Sequence, residues 1–143
     1  MPDDAHTWHI TPVRVRYCEC APMNVAHHSS YVAWFELART ELLRNRGTSY
    51  ADLERAGVLL MVRTMDVRYR KPVAYDDVVE VRTRVQAVGR ARITHDYEVV
   101  VVETGGQAVD GHVAAEATIE LACCGRDGKP RPLPDELRSA SVV

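Results

Sequence analysis

The chain has 143 residues, the size of one ordinary domain, and its 46% hydrophobic and 27% charged residues form a globular composition that excludes intrinsic disorder. A formal charge of -2 gives no global attraction to nucleic acid or to an anionic membrane surface. No apolar run approaches the roughly 20 residues that cross a bilayer, and the opening MPDDAHTWHI lacks the basic start and apolar core of a signal peptide; the expectation is a cytoplasmic protein with neither membrane nor nucleic acid as partner.

Residues 11–17, TPVRVRY, alternate valine and tyrosine with arginine and predict a half-buried strand. A proline-containing loop, APMNVAHH, follows. Ser29 and Ser30 are both N-cap types, so a helix is expected to begin near Ser30. Tyr31, Trp34, Phe35, Ala38 and Leu42 then recur at helical spacing as one apolar stripe, and Gly47 ends it. TSYADLERAG predicts a second, shorter helix, with Ser49 and Asp52 as a capping pair and Gly57 as its stop.

From residue 58 the period changes to that of strands. VLLMVRTMDVRYR, residues 58–70, reads as one long strand with a bend or bulge midway. In VVEVRTRVQAV, Val79, Val81, Thr83 and Val85 share one face, opposite Glu80, Arg82, Arg84 and Gln86. Gly89 and its neighbours turn the chain into ARITHDYEVVVV. ETGGQAVDG is expected to be a second hairpin connection, with HVAAEATIELACC as the last strand. GRDGKPRPLPDELRS carries three prolines and predicts a stiff, irregular tail. One long helix against a meandering antiparallel sheet is an α+β layer architecture, taken as a single domain over residues 1–143. A sheet covered on one side only also makes self-association reasonable.

The four cysteines are Cys18, Cys20, Cys123 and Cys124. Neighbours in a strand point to opposite faces, so Cys123 and Cys124 do not suit a tetrahedral zinc site with the C-x-C pair. The expectation is no metal, no cofactor and buried, reduced thiols.

The stretch VRYCECAPMNVAHHSSYVAWFELAR resembles the signature of the hotdog-fold acyl-CoA thioesterases of the 4-hydroxybenzoyl-CoA thioesterase-like group. The matching positions are Arg16, Tyr17, Glu19, Met23, His28, Tyr31, Trp34, Phe35, Glu36, Ala38 and Arg39. YRKPVAYDDVVEV resembles the group's second signature through Tyr69, Pro72, Tyr75 and Asp76, and GRDGKPRPLP its usual close. The resemblance implies a long central helix wrapped by a curved antiparallel sheet. It further implies a homodimer or homotetramer with active sites at a dimer interface, and acyl thioesters of coenzyme A or acyl carrier protein as substrates.

The departures fall at the chemistry. Ala21 stands where the group has its aspartate, the nucleophile or general base; Asn24 replaces a glycine and Ser30 an asparagine. His28 is therefore the leading catalytic candidate, since a neutral imidazole orients water or moves a proton near neutral pH. Asn24 can hold a water or polarise a carbonyl, and it tolerates the positive φ that a glycine position suggests. Tyr17 and Glu19 complete the catalytic candidates, with an ordinary core-covering tyrosine as the plainer reading of Tyr17. Cys20, beside position 21, is a weaker candidate nucleophile. For substrate binding, the N–H groups of Ser30 and Tyr31 at the helix start can meet a thioester oxygen. Lys71, Arg90 and Arg92 form a candidate clamp for the phosphates of coenzyme A. Three functions follow: hydrolysis of an acyl-CoA by water attack, hydrolysis of an acyl-carrier-protein thioester, or acyl-thioester binding without catalysis.

Overall fold

The computed structural model describes residues 7–138. Its elements run β1 (His9–Arg14), β2 (Cys20–Ala21), β3 (Val25–Ala26), α1 (Ser30–Asn45), α2 (Tyr50–Arg55), β4 (Leu59–Tyr69), β5 (Val78–Val88), β6 (Arg92–Thr104), β7 (Gln107–Cys124) and α3 (Asp135–Arg138). Five strands form an antiparallel sheet in the order β1-β5-β6-β7-β4, and β2 pairs with β3 as a small separate ribbon.

The apolar stripe of α1 dictates how the layers meet. Tyr31, Trp34, Phe35, Ala38 and Leu42 are all buried, and they pack on the inward residues of β5, β6 and β7. Val79, Val81, Thr83 and Val85 form one buried row, as the period-two pattern requires. The sheet must curve to wrap a helix. Register shifts at Val62/Thr64, Val85/Ala87, Val99/Val100 and Val101/Glu103 supply bulges that bend it. The extra residue at the Val99/Val100 shift is Ala114 of β7, which explains why Ala114 and Ala115 are buried in succession despite the strand alternation. This is the hotdog architecture, a long helix gripped by an antiparallel sheet.

The helix ends follow local chemistry. Ser49 accepts from the N–H of Asp52 at 3.1 Å, and Gly57 leaves α2 with φ +81. Gly47 leaves α1 with φ +92. At Ser29 no side-chain cap forms, because its hydroxyl lies 2.7 Å from Nδ1 of His27 instead.

Several boundaries differ from the sequence reading. The first strand stops at Arg14, and Tyr17 falls in a single 3-10 turn, Tyr17–Glu19, with 77% of its surface exposed. It therefore does not cover the core. The second hairpin connection shrinks to Gly105 and Gly106, whose φ values of +60 and +78 suit a two-residue turn. QAVDG then belongs to the strand, which lengthens β7 to 18 residues. The tail after Cys124 is irregular but pinned. Leu133 N–H donates to the Arg90 carbonyl at 2.8 Å, and Arg131 reaches the carbonyls of Ala56 and Gly57, before the unforeseen turn of α3. All four thiols are free, yet only Cys123 and Cys124 are buried; Cys18 is exposed and Cys20 half-buried.

The outward sheet face is charged rather than apolar. Arg63–Glu120, Arg70–Glu116 and Arg82–Glu80 pair across or along it at 2.7 to 2.8 Å. Among the described residues the edge strands of the sheet are β1 and β4, and on β4 Met61 and Val62 are 58% and 48% exposed. No helix among the described residues is long and apolar enough to cross a membrane.

Candidate active site

The segment between β1 and α1 is too short of regular structure to hold itself, and Glu19 organises it. Its carboxylate accepts from the backbone N–H of Arg16 at 2.8 Å and from the indole N–H of Trp34 at 2.7 Å, with the Arg16 guanidinium at 3.4 Å. Its carbonyl accepts from the N–H of His27 and the hydroxyl of Ser30, each at 2.8 Å. One buried residue thus ties the loop to the first turn of α1. Desolvation pushes the Glu19 carboxyl up, but the bonds from Arg16 and Trp34 outweigh it and hold the pKa below the usual carboxylate range.

Beyond Glu19 the chain makes a tight turn at Pro22–Asn24. Met23 and Asn24 both adopt left-handed backbone, with φ 73 and 66. Asparagine tolerates this region better than most residues, which accounts for a chain that does without glycine there. The carbonyl of Asn24 accepts from the N–H of Tyr75 at 3.1 Å, which fixes the turn to the loop after β4. Tyr75 meets Tyr17 edge to face at 5.7 Å.

These turns enclose an open recess of about 470 Å3 lined by Tyr17, Cys20, Ala21, Pro22, Met23 and Asn24. None of these side chains carries a carboxylate or an ammonium group. Burial, then the charges of Glu19 and Cys18, push the Cys20 thiol up, opposite to what a thiolate nucleophile needs.

Next to the recess, α1 begins. Ser30 N–H is spent on the His27 carbonyl at 2.9 Å. That carbonyl is also the i−4 acceptor of Tyr31, and no hydrogen bond from the Tyr31 N–H is found among the described residues. The expected donor pair at the helix start therefore reduces to one, Tyr31. Tyr69, at the end of β4, donates its hydroxyl to the His28 carbonyl at 2.9 Å and packs edge to face on Tyr31 at 5.0 Å. Burial, with Tyr69 adding to it, pushes the Tyr31 phenol up to about 12, so it stays a neutral donor.

The two histidines stack at 4.1 Å on the exposed side of this segment. His27 Nδ1 accepts from Ser29 N–H at 3.1 Å, which assigns the proton of the neutral ring to Nε2. Within one chain the recess is lined without His28. Glu36, on the outer side of α1, is 3.7 Å from Arg39.

The phosphate clamp does not assemble in one chain. Lys71 N–H bonds to Ala114, whereas Arg92 stands opposite Ala122, eight residues further along β7 and about 26 Å away at ~3.3 Å per residue. Arg92 lies 3.8 Å from Glu120, and Arg90 sits at the β5–β6 turn with its carbonyl holding the tail. Sequence reasoning missed two contributors to the site. Trp34 and Tyr69 enter the sequence reading as core and signature positions without a role at the site, although a buried indole N–H requires an acceptor, and the facing of Tyr69 toward the helix start depends on sheet register.

A hotdog-fold protein with a recess beside the start of its central helix is the class these features define. Residues 15–141 match the profile of the thioesterase-like superfamily, and the chain belongs to that family. Among curated relatives, YneP of Bacillus subtilis is 31% identical over 87 residues, 61% of this chain and 63% of that protein. The match thus spans just under two thirds of YneP. The acyl-CoA thioester hydrolase YbgC of Escherichia coli is 32% identical over 127 residues, 88% of this chain and 90% of its own. The structure of a DHNA-CoA thioesterase from Staphylococcus aureus superposes with a TM-score of 0.82 at 32% identity, covering 93% of this chain and 87% of that one.

Proposed function

We propose that the chain is an acyl-CoA thioesterase that hydrolyses an acyl thioester to a free acid and coenzyme A by water attack. The observation that carries this reading is the recess of about 470 Å3 beside the start of α1, in a chain that aligns with nine tenths of a named acyl-CoA thioester hydrolase. The thioester carbonyl lies at the helix start, where the Tyr31 N–H and the positive end of the helix dipole stabilise the oxyanion. Asn24 and Tyr17 hold the attacking water in the recess, and His28 takes its proton. Glu19 acts as a positioning residue rather than the base, since both its oxygens are engaged.

The site is completed in a homodimer formed along the free edge of β4, which brings a second copy close to Tyr69 and the helix start. Lys71 of one copy, or Arg90 and Arg92 of one copy, contact the coenzyme A phosphates, but not all three from the same chain. Ala21 favours a second reading, acyl-thioester binding without turnover. An acyl carrier protein replaces coenzyme A as the donor if the nucleotide proves dispensable.

The test is free-thiol release from a panel of acyl-CoAs, from acetyl to long-chain and aromatic, between pH 6 and 9. Turnover above background that is lost in His28→Ala supports hydrolysis. Silence from folded protein across the panel, with retained binding of the same esters, leaves the binding role in its place.

A further inference from the structure

Far from the recess, the C-terminal half of α1 covers a second, smaller and partly open cavity of about 20 Å3, room for one water-sized particle. Aliphatic walls come from α1 through Leu42 and from the sheet through Ile93, and Leu137 of α3 closes it. Four polar side chains also line it: Arg39, Arg46, Tyr50 and His95.

Their arrangement is unusual for a core. His95 is 6% exposed, and its Nδ1 has no hydrogen-bond partner. Nε of Arg46 is buried without a partner as well, and among the described residues Arg46 makes no ion pair. Arg39, itself 9% exposed, has the Tyr50 and Tyr97 hydroxyls as neutral neighbours, and its one carboxylate, Glu36 at 3.7 Å, has a side chain 72% exposed and so only weakly compensates a buried charge. Buried donors left unpaired are costly and rare in native proteins.

We infer that this cavity binds one small monovalent anion of the halide class, held by the guanidinium groups of Arg39 and Arg46 and the ring N–H of His95. Charge, added to the donors of the two arginines, favours an anion over a water. Both arginines offer only donors, the Tyr50 hydroxyl can add one, and the imidazole supplies one at Nδ1 in the matching tautomer. A water there could donate to the Tyr50 oxygen and the bare imidazole nitrogen, but it would leave the charge of the two guanidinium groups uncompensated, which an anion balances. Charge agrees, since two cations face one exposed carboxylate. The negative end of the α1 dipole opposes an anion, but its effect fades within the last turn, upstream of which Arg39 lies. Burial, with Arg39 and Arg46 adding to it, pushes the His95 pKa down to about 3, so the ring contributes a neutral N–H.

The bound ion would lock α1 to the sheet, α2 and the tail, so the test is stability against anion identity. Thermal unfolding is followed in sodium gluconate, chloride and bromide at fixed ionic strength. Chloride and bromide are expected to raise Tm, by on the order of 4 °C for each tenfold rise once above Kd; gluconate is too large to enter. Arg46→Met, at the helix end where its folding cost is small, is expected to remove the halide dependence. Bromide-soaked crystals are expected to show an anomalous peak between Arg46 and His95. Equal Tm in all three salts, a halide effect that survives Arg46→Met, or a cavity without bromide would each overturn the assignment and leave a water as occupant.

Discussion

The indole N–H of Trp34 donates to Oε2 of Glu19 at 2.7 Å, joining the second turn of α1 to a loop residue that is 8% exposed. Trp34→Phe keeps an aromatic side chain but removes the N–H donor together with part of the ring volume. It is expected to cost about 1–3 kcal/mol, because Oε2 of Glu19 then keeps only the longer contact from the Arg16 guanidinium at 3.4 Å. Urea unfolding of Trp34→Phe, Glu19→Gln and the double variant checks this. A double variant no less stable than the worse single one marks the two residues as one unit, whereas additive losses would show that they act separately.

Asn24 carries both a turn and, in the proposed chemistry, a water-holding amide. Asn24→Gly suits φ 66 at least as well as asparagine, so Tm should hold or rise. Asn24→Ala should lose roughly 1 kcal/mol, since alanine lacks the short polar side chain whose local hydrogen bonding eases the left-handed region. If only the backbone matters, the glycine variant hydrolyses thioesters at the parent rate. A fall in kcat for glycine with intact Tm assigns the amide a part in the reaction.

Ala21 lines the recess without contributing a polar group to it. Ala21→Asp introduces a carboxylate where a general base can reach a water in the recess. An increase in kcat on the order of 10²-fold is expected, the lower range for such a base. Steady-state thiol release measures it. An unchanged rate would mean that the scissile carbonyl does not lie over position 21.

His95 makes stability depend on pH. Above its ordinary value of 6.5 both the folded and the unfolded chain hold a neutral ring; below it the unfolded chain takes a proton that the folded chain refuses until about 3. Stability contributed by this group is therefore full above pH 6.5 and is lost progressively toward pH 3. His95→Phe should flatten that part of the Tm profile relative to the parent chain. Parallel profiles for the two proteins would show that His95 takes its proton at the same pH in the folded as in the unfolded chain.

Much of the architecture was legible because it follows from short-range periodicity. The α1 stripe from Tyr31 to Leu42 and the row Val79, Val81, Thr83 and Val85 are buried as their spacing requires. The β6–β7 turn was misjudged because glycine and aspartate in QAVDG mimic a loop, and only cross-strand pairing shows that they continue a strand. The site was legible in part. Asn24 at positive φ could be argued from its chemistry, while the Glu19–Trp34 bond and the separation of Lys71 from Arg92 depend on long-range register that no local pattern encodes.

The Glu19 clasp has a consequence for how such a site can change. The bonds that shape the loop are made by backbone and by the side chains of Arg16, Glu19, Cys20, His27, Ser29, Ser30, Trp34 and Tyr69; the side chain of residue 21 makes none of them. The socket and its tool are separable parts. An aspartate can be exchanged for an alanine there without slackening the frame, and a lineage can therefore try new reaction chemistry, or give it up, while the folded chain stays the same.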